Sequence, residues 1–506
     1  MPTFFRKPFV AALAGFLCSL TIAVSAQAPV SGGVPVPMVS GPIPVTAASY
    51  PFLASEKNLS PLDLTKAGYV EEEFIVSGTA NVYNWETDGA VTVKTPNAPY
   101  ATRILVRRPA NASRFSGNVL VEILHSGRRF DWPMIWGYSR DFLLANGDAW
   151  IGITTSNAAA GLKTFSPSRY SAISFANPSD TPCAPGAARS ETEEGLRWDA
   201  ISQVAALLKS GVPGRPLAAF RVEAVFLTMQ GGDLQTYINA IHPRASVASG
   251  KPAYDGYLVK SPAAPSRINQ CASAPAANDS RRAIRKTNVP VITLVAQGEV
   301  IDAAPYARPD SDGADDKFRT YEIAGAGHID KSAYSGFPSF ADQTAAVGSA
   351  QGKPDWPFNV TCDPPVPMMA VPIMSYAFDA AFASLEQWVR KGTPAPRAQR
   401  IQIRNAGTPQ ASIALDAAGN GLGGVRSPFV DVPAAVLHTN SNGPGVCREM
   451  GREAPFDQSR FQAAYPTAKA YTDAVSQATD RLVKERWLTE GDARRIKEEA
   501  QARVSK

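Results

Sequence analysis

The stretch AVFLTMQGGDLQTYINAIHP, residues 224–243, decides how this chain is read. An apolar run over 222–228 has the length of a buried strand and stops at the pair Gly231-Gly232. Residues 232–241 then carry a helical pattern, with Asp233 in the first turn where the helix dipole favours an acid. A strand that turns into a helix through glycines is a βα corner. The corner itself reads Leu227-Thr228-Met229-Gln230-Gly231, and its centre offers a thioether, which cannot attack a carbonyl. Thr228 lies one step away, and alternation along a strand turns its hydroxyl from the apex.

Working outward, the same alternation of elements repeats. YVEEEFIVSGTANVYNW (69–85) and YATRILVRRP (100–109) alternate as strands do, and NVLVEIL (118–124) is a continuous apolar run with one acid. PMIWGYSRDFLLANG (133–147) has helical periodicity and a glycine stop; AWIGITT (149–155) is a buried strand; residues 193–211 form a helix with acids first and Lys209 near its end. Strands follow at YDGYLVKS (254–261), VPVITLVAQG (289–298) and FRTYEIAG (318–325), then a helix over about 371–391. Frequent strand–helix alternation predicts an α/β class with a mostly parallel sheet covered on both faces. Thr155 to Ser190 and Ser335 to Pro372 interrupt the pattern with turn chemistry and little periodicity, and are expected to be lid-like insertions. After 395 the chain changes to short strands and turns, then a charged helical tail over 470–504.

The ends and the composition set the compartment. Arg6 and Lys7, the apolar run FVAALAGFLCSLTIAV and a small-residue site ending at Ala26 predict a signal peptide over 1–26, and hence a periplasmic or secreted protein. Four cysteines remain, Cys183, Cys271, Cys362 and Cys447; their wide spacing argues for disulfides over a zinc knuckle and leaves three pairings open. The formal charge of +5 is too small and dispersed for nucleic acid, and no later stretch is apolar enough to span a bilayer. No metal-ligand spacing appears among His125, His242, His328 and His438, and the glycines of GNGLGG (419–424) lack the setting of a dinucleotide site, so no cofactor is expected.

VLVEIL (119–124), RWDAISQVAALL (197–208), TYINAIHP (236–243), ARPDSD (307–312), YEIAGAGHID (321–330) and GNGLGGVRSPFVDVP (419–433), followed by PFD and AYP, carry a resemblance to the α/β-hydrolase superfamily. More narrowly, the chain resembles a branch of large bacterial α/β hydrolase domain-containing proteins. The resemblance implies an α/β-hydrolase domain over 27–394 and a C-terminal extension over 395–506. In such relatives the corner carries Gly-x-Ser-Gln, which sets Met229 on the serine position and Leu227 on the first glycine. It implies His328 as the general base on a glycine-flanked loop and Glu299 as its acid, with Asp302 as the alternative. It implies an oxyanion hole from the backbone N–H of Gln230 and of the loop after 118–124, at His125, Ser126 or Gly127.

Two readings stay open. One is an esterase-like enzyme acting on carboxylic esters or related acyl compounds with an unusual nucleophile, such as water activated by His328. The other is a catalytically impaired or inactive hydrolase-fold protein that holds a small apolar ligand or a protein partner in the old cleft. Ser139 of GYSRD (137–141) falls mid-helix, and Asp233 is explained by its helix, so neither replaces the missing serine.

Overall fold

The computed structural model describes Met1 and residues 32–212, 214–262, 264–349 and 360–504. The expected signal peptide over 1–26 lies almost wholly outside them. Ten strands form one sheet: β1 (Met38–Ser40), β2 (Tyr69–Trp85), β3 (Val91–Pro109), β4 (Asn118–Ile123), β5 (Ala149–Ile153), β6 (Ala224–Gln230), β7 (Gly256–Lys260), β8 (Val291–Ala296), β9 (Ser311–Gly313) and β10 (Asp316–Ile323). Their spatial order is β1-β2-β3-β5-β4-β6-β7-β8-β10-β9. The run from β5 to β10 is parallel, while β1, β2, β3 and β9 pair antiparallel at the two ends. This is the mostly parallel α/β sheet expected from the sequence.

The parallel strands are apolar throughout because helices cover both faces. Leu120, Phe226, Leu258 and Ile292 share one cluster with Trp136 of α1 (Met134–Asn146) and Phe382 of the helix Ile373–Lys391. Val119, Val121, Val225, Leu227, Met229 and Val259 point the other way, against Ile201, Val204 and Leu207 of the helix Arg197–Lys209. Glu122 is the one acid of β4; it accepts N–H bonds from Ile135 and Trp136 at 2.8 and 2.9 Å and caps α1. Gly147 closes that helix in the left-handed region (φ 77°), as a glycine stop should.

Two sequence expectations change, and the helical tail gains a break and a packed face. The segment 155–190 is not without regular structure: it opens with α2 (Ser156–Phe165). It is also anchored, because Arg169 and Tyr170 reach the buried Glu73 that Arg103 also holds. β3 begins at Val91, nine residues before the predicted strand, running through Pro96 and Pro99 opposite a bulged part of β2. The tail becomes two helices, Ala468–Lys484 and Glu490–Val504, whose Tyr471, Val475, Leu482, Ile496 and Ala500 enter the main core. Cys183 pairs with Cys271 and Cys362 with Cys447.

Candidate functional site

The corner after β6 turns its backbone two residues past Met229. Met229 is a regular strand residue paired in register with Val259, and the left-handed backbone falls on Gly231 (φ 118°). A Cβ on Gly232 would sit 2.1 Å from the Ala264 carbonyl oxygen, so the helix starts in space only glycine leaves. Met229 packs into the apolar cluster with Leu227 and Val259. Gln230 turns to the opposite face, and its Nε2 lies 2.8 Å from His328 Nε2. An amide thus occupies the side of the imidazole where a nucleophile would stand.

His328 follows β10. Gly325 takes φ +75°, and a Cβ on Gly327 would lie 2.4 Å from the Gly451 nitrogen. These glycines let the C-terminal chain pack against the loop, and Ile329 N–H donates to the Glu449 carbonyl at 2.8 Å. His328 Nδ1 hydrogen-bonds Glu299 Oε1. The other carboxylate oxygen accepts from Ala296 N–H and Ser261 Oγ, both at 2.9 Å, with Lys260 Nζ 3.6 Å away. Burial alone would raise the Glu299 carboxyl, but the Lys260 ammonium, and behind it the His328 ring, hold it down to about 2. The ionised carboxylate needs a donor, so Nδ1 carries the proton. Nε2 is then an acceptor, and it takes the Gln230 amide N–H. Gln230 Oε1 is buried with no partner. Asp302 is exposed on the rim of the same cleft, and the carboxylate bonded to His328 is Glu299.

His125 lies in the loop after β4. Its backbone N–H donates to the Trp132 carbonyl at 3.1 Å, so this amide is already engaged. Burial, and behind it the Arg128 guanidinium, pulls its ring below the ordinary histidine value. Gly231 N–H donates to the Lys260 carbonyl, and the alternation of a parallel ladder turns the Gln230 N–H away from β7, toward the loop after β4.

His328, Glu299 and Asp302 open on a cleft of about 680 Å³, lined also by Asp363, Asn440, Ser441, Arg448 and Glu449. Its far wall is therefore the C-terminal extension, stapled to the second insertion by Cys362–Cys447. Sequence reasoning missed this wall, the Gln230 side chain, Lys260 and Ser261. Alternation sets Gln230 on the face of Thr228, the one the sequence reading turned from the apex, so the pattern pointed away from it.

The remaining candidates take no part in the His328–Glu299 hydrogen bonding. Thr228 Oγ1 donates to the Leu258 carbonyl at 2.7 Å, and Asp233 pairs with Arg197 at 3.2 Å. Ser139 is buried inside α1, not facing solvent as a mid-helix serine commonly does. His242 sits buried between Tyr257 Oη (2.8 Å) and Asn288 Oδ1 (3.0 Å), and burial pulls it down to about 4. His438 ends the short strand Ala435–His438, paired in register with Arg452. Among the described residues no group of three or more His, Cys, Asp or Glu is placed to hold a metal ion.

The family model described as "Alpha/beta hydrolase domain" matches residues 39–498. The chain belongs to the α/β-hydrolase domain family. No curated protein matches it. Solved structures similar to this α/β-hydrolase chain include esterase B from Lactobacillus rhamnosis, inhibited by a C6-C4 SN3 compound, at 13% identity, covering 49% of this chain and 75% of that one, TM-score 0.24. Two fungal esterases from Rhizomucor miehei are represented at 10% identity, 56% and 86% coverage and TM-score 0.27. An alpha-beta serine hydrolase homologue from Coxiella burnetii stands at 9%, 46% and 85%, TM-score 0.24. At these scores no activity is carried over from them. Among the described residues no helix is long and apolar enough to cross a membrane.

Proposed function

We propose that this α/β-hydrolase domain protein binds a small molecule in the cleft over His328 and has given up acyl transfer by a side-chain nucleophile. The observation that carries the reading is the hydrogen bond between Gln230 Nε2 and His328 Nε2. The lone pair that would take a nucleophile's proton is held by an amide, and Met229 is turned into the apolar cluster on the other face. The ligand stands over the His328–Glu299 pair, between the acid loop and the C-terminal extension. The hydrolase body spans 27–394 and the extension 395–506.

The intact His328–Glu299 hydrogen bond favours a second reading, slow esterase-like hydrolysis by a water that displaces the Gln230 amide. In that reaction Gln230 N–H and, since the His125 amide is paired, Ser126 or Gly127 N–H would face the oxyanion. A panel of p-nitrophenyl esters separates the two. The binding reading expects native turnover equal to that of His328→Ala; a native rate ten or more times higher would establish the esterase reading. Met229→Ser is expected to gain little, because residue 229 lies in an unstrained strand. Export is part of the proposal, supported by the two disulfides. Appearance of the mature chain beginning after Ala26 in the periplasmic or secreted fraction tests it.

A further inference from the structure

Lys260 is the last residue of β7, paired in register with Gln230, and its side chain is fully buried. An ammonium in such a place needs counter-charge, and burial pulls it below the ordinary lysine value against the pull of Glu299 and Asp330. Asp330 is already occupied: its carboxylate accepts N–H bonds from Ser332, Met374 and Ser375 at the start of the helix Ile373–Lys391. Glu299 is the carboxylate 3.6 Å from Nζ. Ser261 locks the arrangement. It adopts φ +51°, uncommon for a residue with a side chain, and so brings its Oγ against Lys260 Nζ while donating to Glu299 Oε2 at 2.9 Å.

We propose that Lys260 is a built-in counter-cation that disarms the acid of the His328–Glu299 pair. In a working triad the carboxylate stabilises the imidazolium that forms when the histidine takes a proton. Here the same carboxylate already compensates a buried ammonium, so an imidazolium at His328 would place a second cation on one anion. The site is then altered at two separate points, the nucleophile and the acid. The inference rests on the vacated-site reading above and deepens it. The charged and titratable groups around the imidazole are Glu299, Lys260 and Asp330, with Asp302, Asp363, Arg448 and Glu449 on the cleft side and His125, on which Arg128 and Asp233 act, beyond.

The test is a histidine-labelled NMR titration of the native chain, Lys260→Met and Lys260→Arg, with His328 assigned through His328→Ala. Removing the cation is expected to move the His328 midpoint up by at least one pH unit. The arginine variant, which keeps the charge, is expected to stay within a few tenths. Equal midpoints in native and Lys260→Met protein would overturn the proposal. Where Lys260→Met does not fold, Lys260→Gln serves, with the same expectation. Esterase turnover by the native chain would strike the vacated-site reading without touching this comparison, and unchanged midpoints would strike the counter-cation while leaving that reading in place.

Discussion

At the scale of single residues, His328 and its acid came from the family resemblance, with Glu299 and Asp302 both open, and it is Glu299 that hydrogen-bonds the imidazole. The identity of the group facing His328 was not legible, because it depends on which side of β6 residues 229 and 230 point. A one-residue step in a strand exchanges the two faces, and here it exchanges a thioether for an amide. Two buried groups held below their ordinary values lose stabilising contributions in acid. His242 is held down to about 4 from the ordinary histidine value of 6.5, so its neutral form stabilises the fold above pH 6.5. That contribution is lost as pH falls through 4, because the unfolded chain binds the proton first. Glu299, held down to about 2 from 4.5, contributes about 3 kcal/mol above pH 4.5, lost as pH falls toward 2. Urea titrations between pH 8 and 3 are expected to show the higher window vanish in His242→Gln and the lower one in Glu299→Gln. Coincident curves for native and variant proteins would contradict these assignments.

Elements with strong periodicity were placed well by the sequence: the predicted strand over 69–85 is β2, and the helix over 133–147 is α1 with its glycine stop. Elements were missed where one residue type dominated the reading. Pro96 and Pro99 hid the first half of β3, and the proline-rich 178–185 hid the alanine-rich α2 beside it. Glu122 shows how a single acid in an apolar strand orders a neighbour, since it also accepts from Trp150 Nε1 at 2.9 Å. Glu122→Ala is expected to cost about 3 kcal/mol in urea unfolding, through three buried donors left unpaired; a loss under about 1 kcal/mol would show that α1 is capped by other means. The Cys362–Cys447 bridge closes a separation of 85 residues, so its removal is expected to cost about 4 kcal/mol in the chain-entropy picture. The double serine variant, compared by thermal unfolding, checks this, and a Tm equal to the native one would contradict it.

For the whole molecule, a parallel α/β sheet was readable from pattern alone, whereas the origin of the cleft wall was not. Asn440, Ser441, Arg448 and Glu449 come to His328 from more than a hundred residues away, and nothing in their local spacing announces it. The tail belongs to the same body: Trp487 packs edge-on to Tyr321 at 5.0 Å, and Tyr376 Oη donates to Glu499 at 2.9 Å. Leu482→Ala, a buried contact of that tail, is expected to cost about 2–5 kcal/mol in a single unfolding transition. A separate early transition would mean the tail folds on its own.

The central claim concerns what His328 no longer does, and covalent labelling tests it most directly. The native chain is incubated with a fluorophosphonate, and the intact mass is read beside that of His328→Ala. The expected result is an unmodified mass in both. A stoichiometric adduct on the native chain, absent from His328→Ala, would contradict the account and identify a working nucleophile that His328 activates.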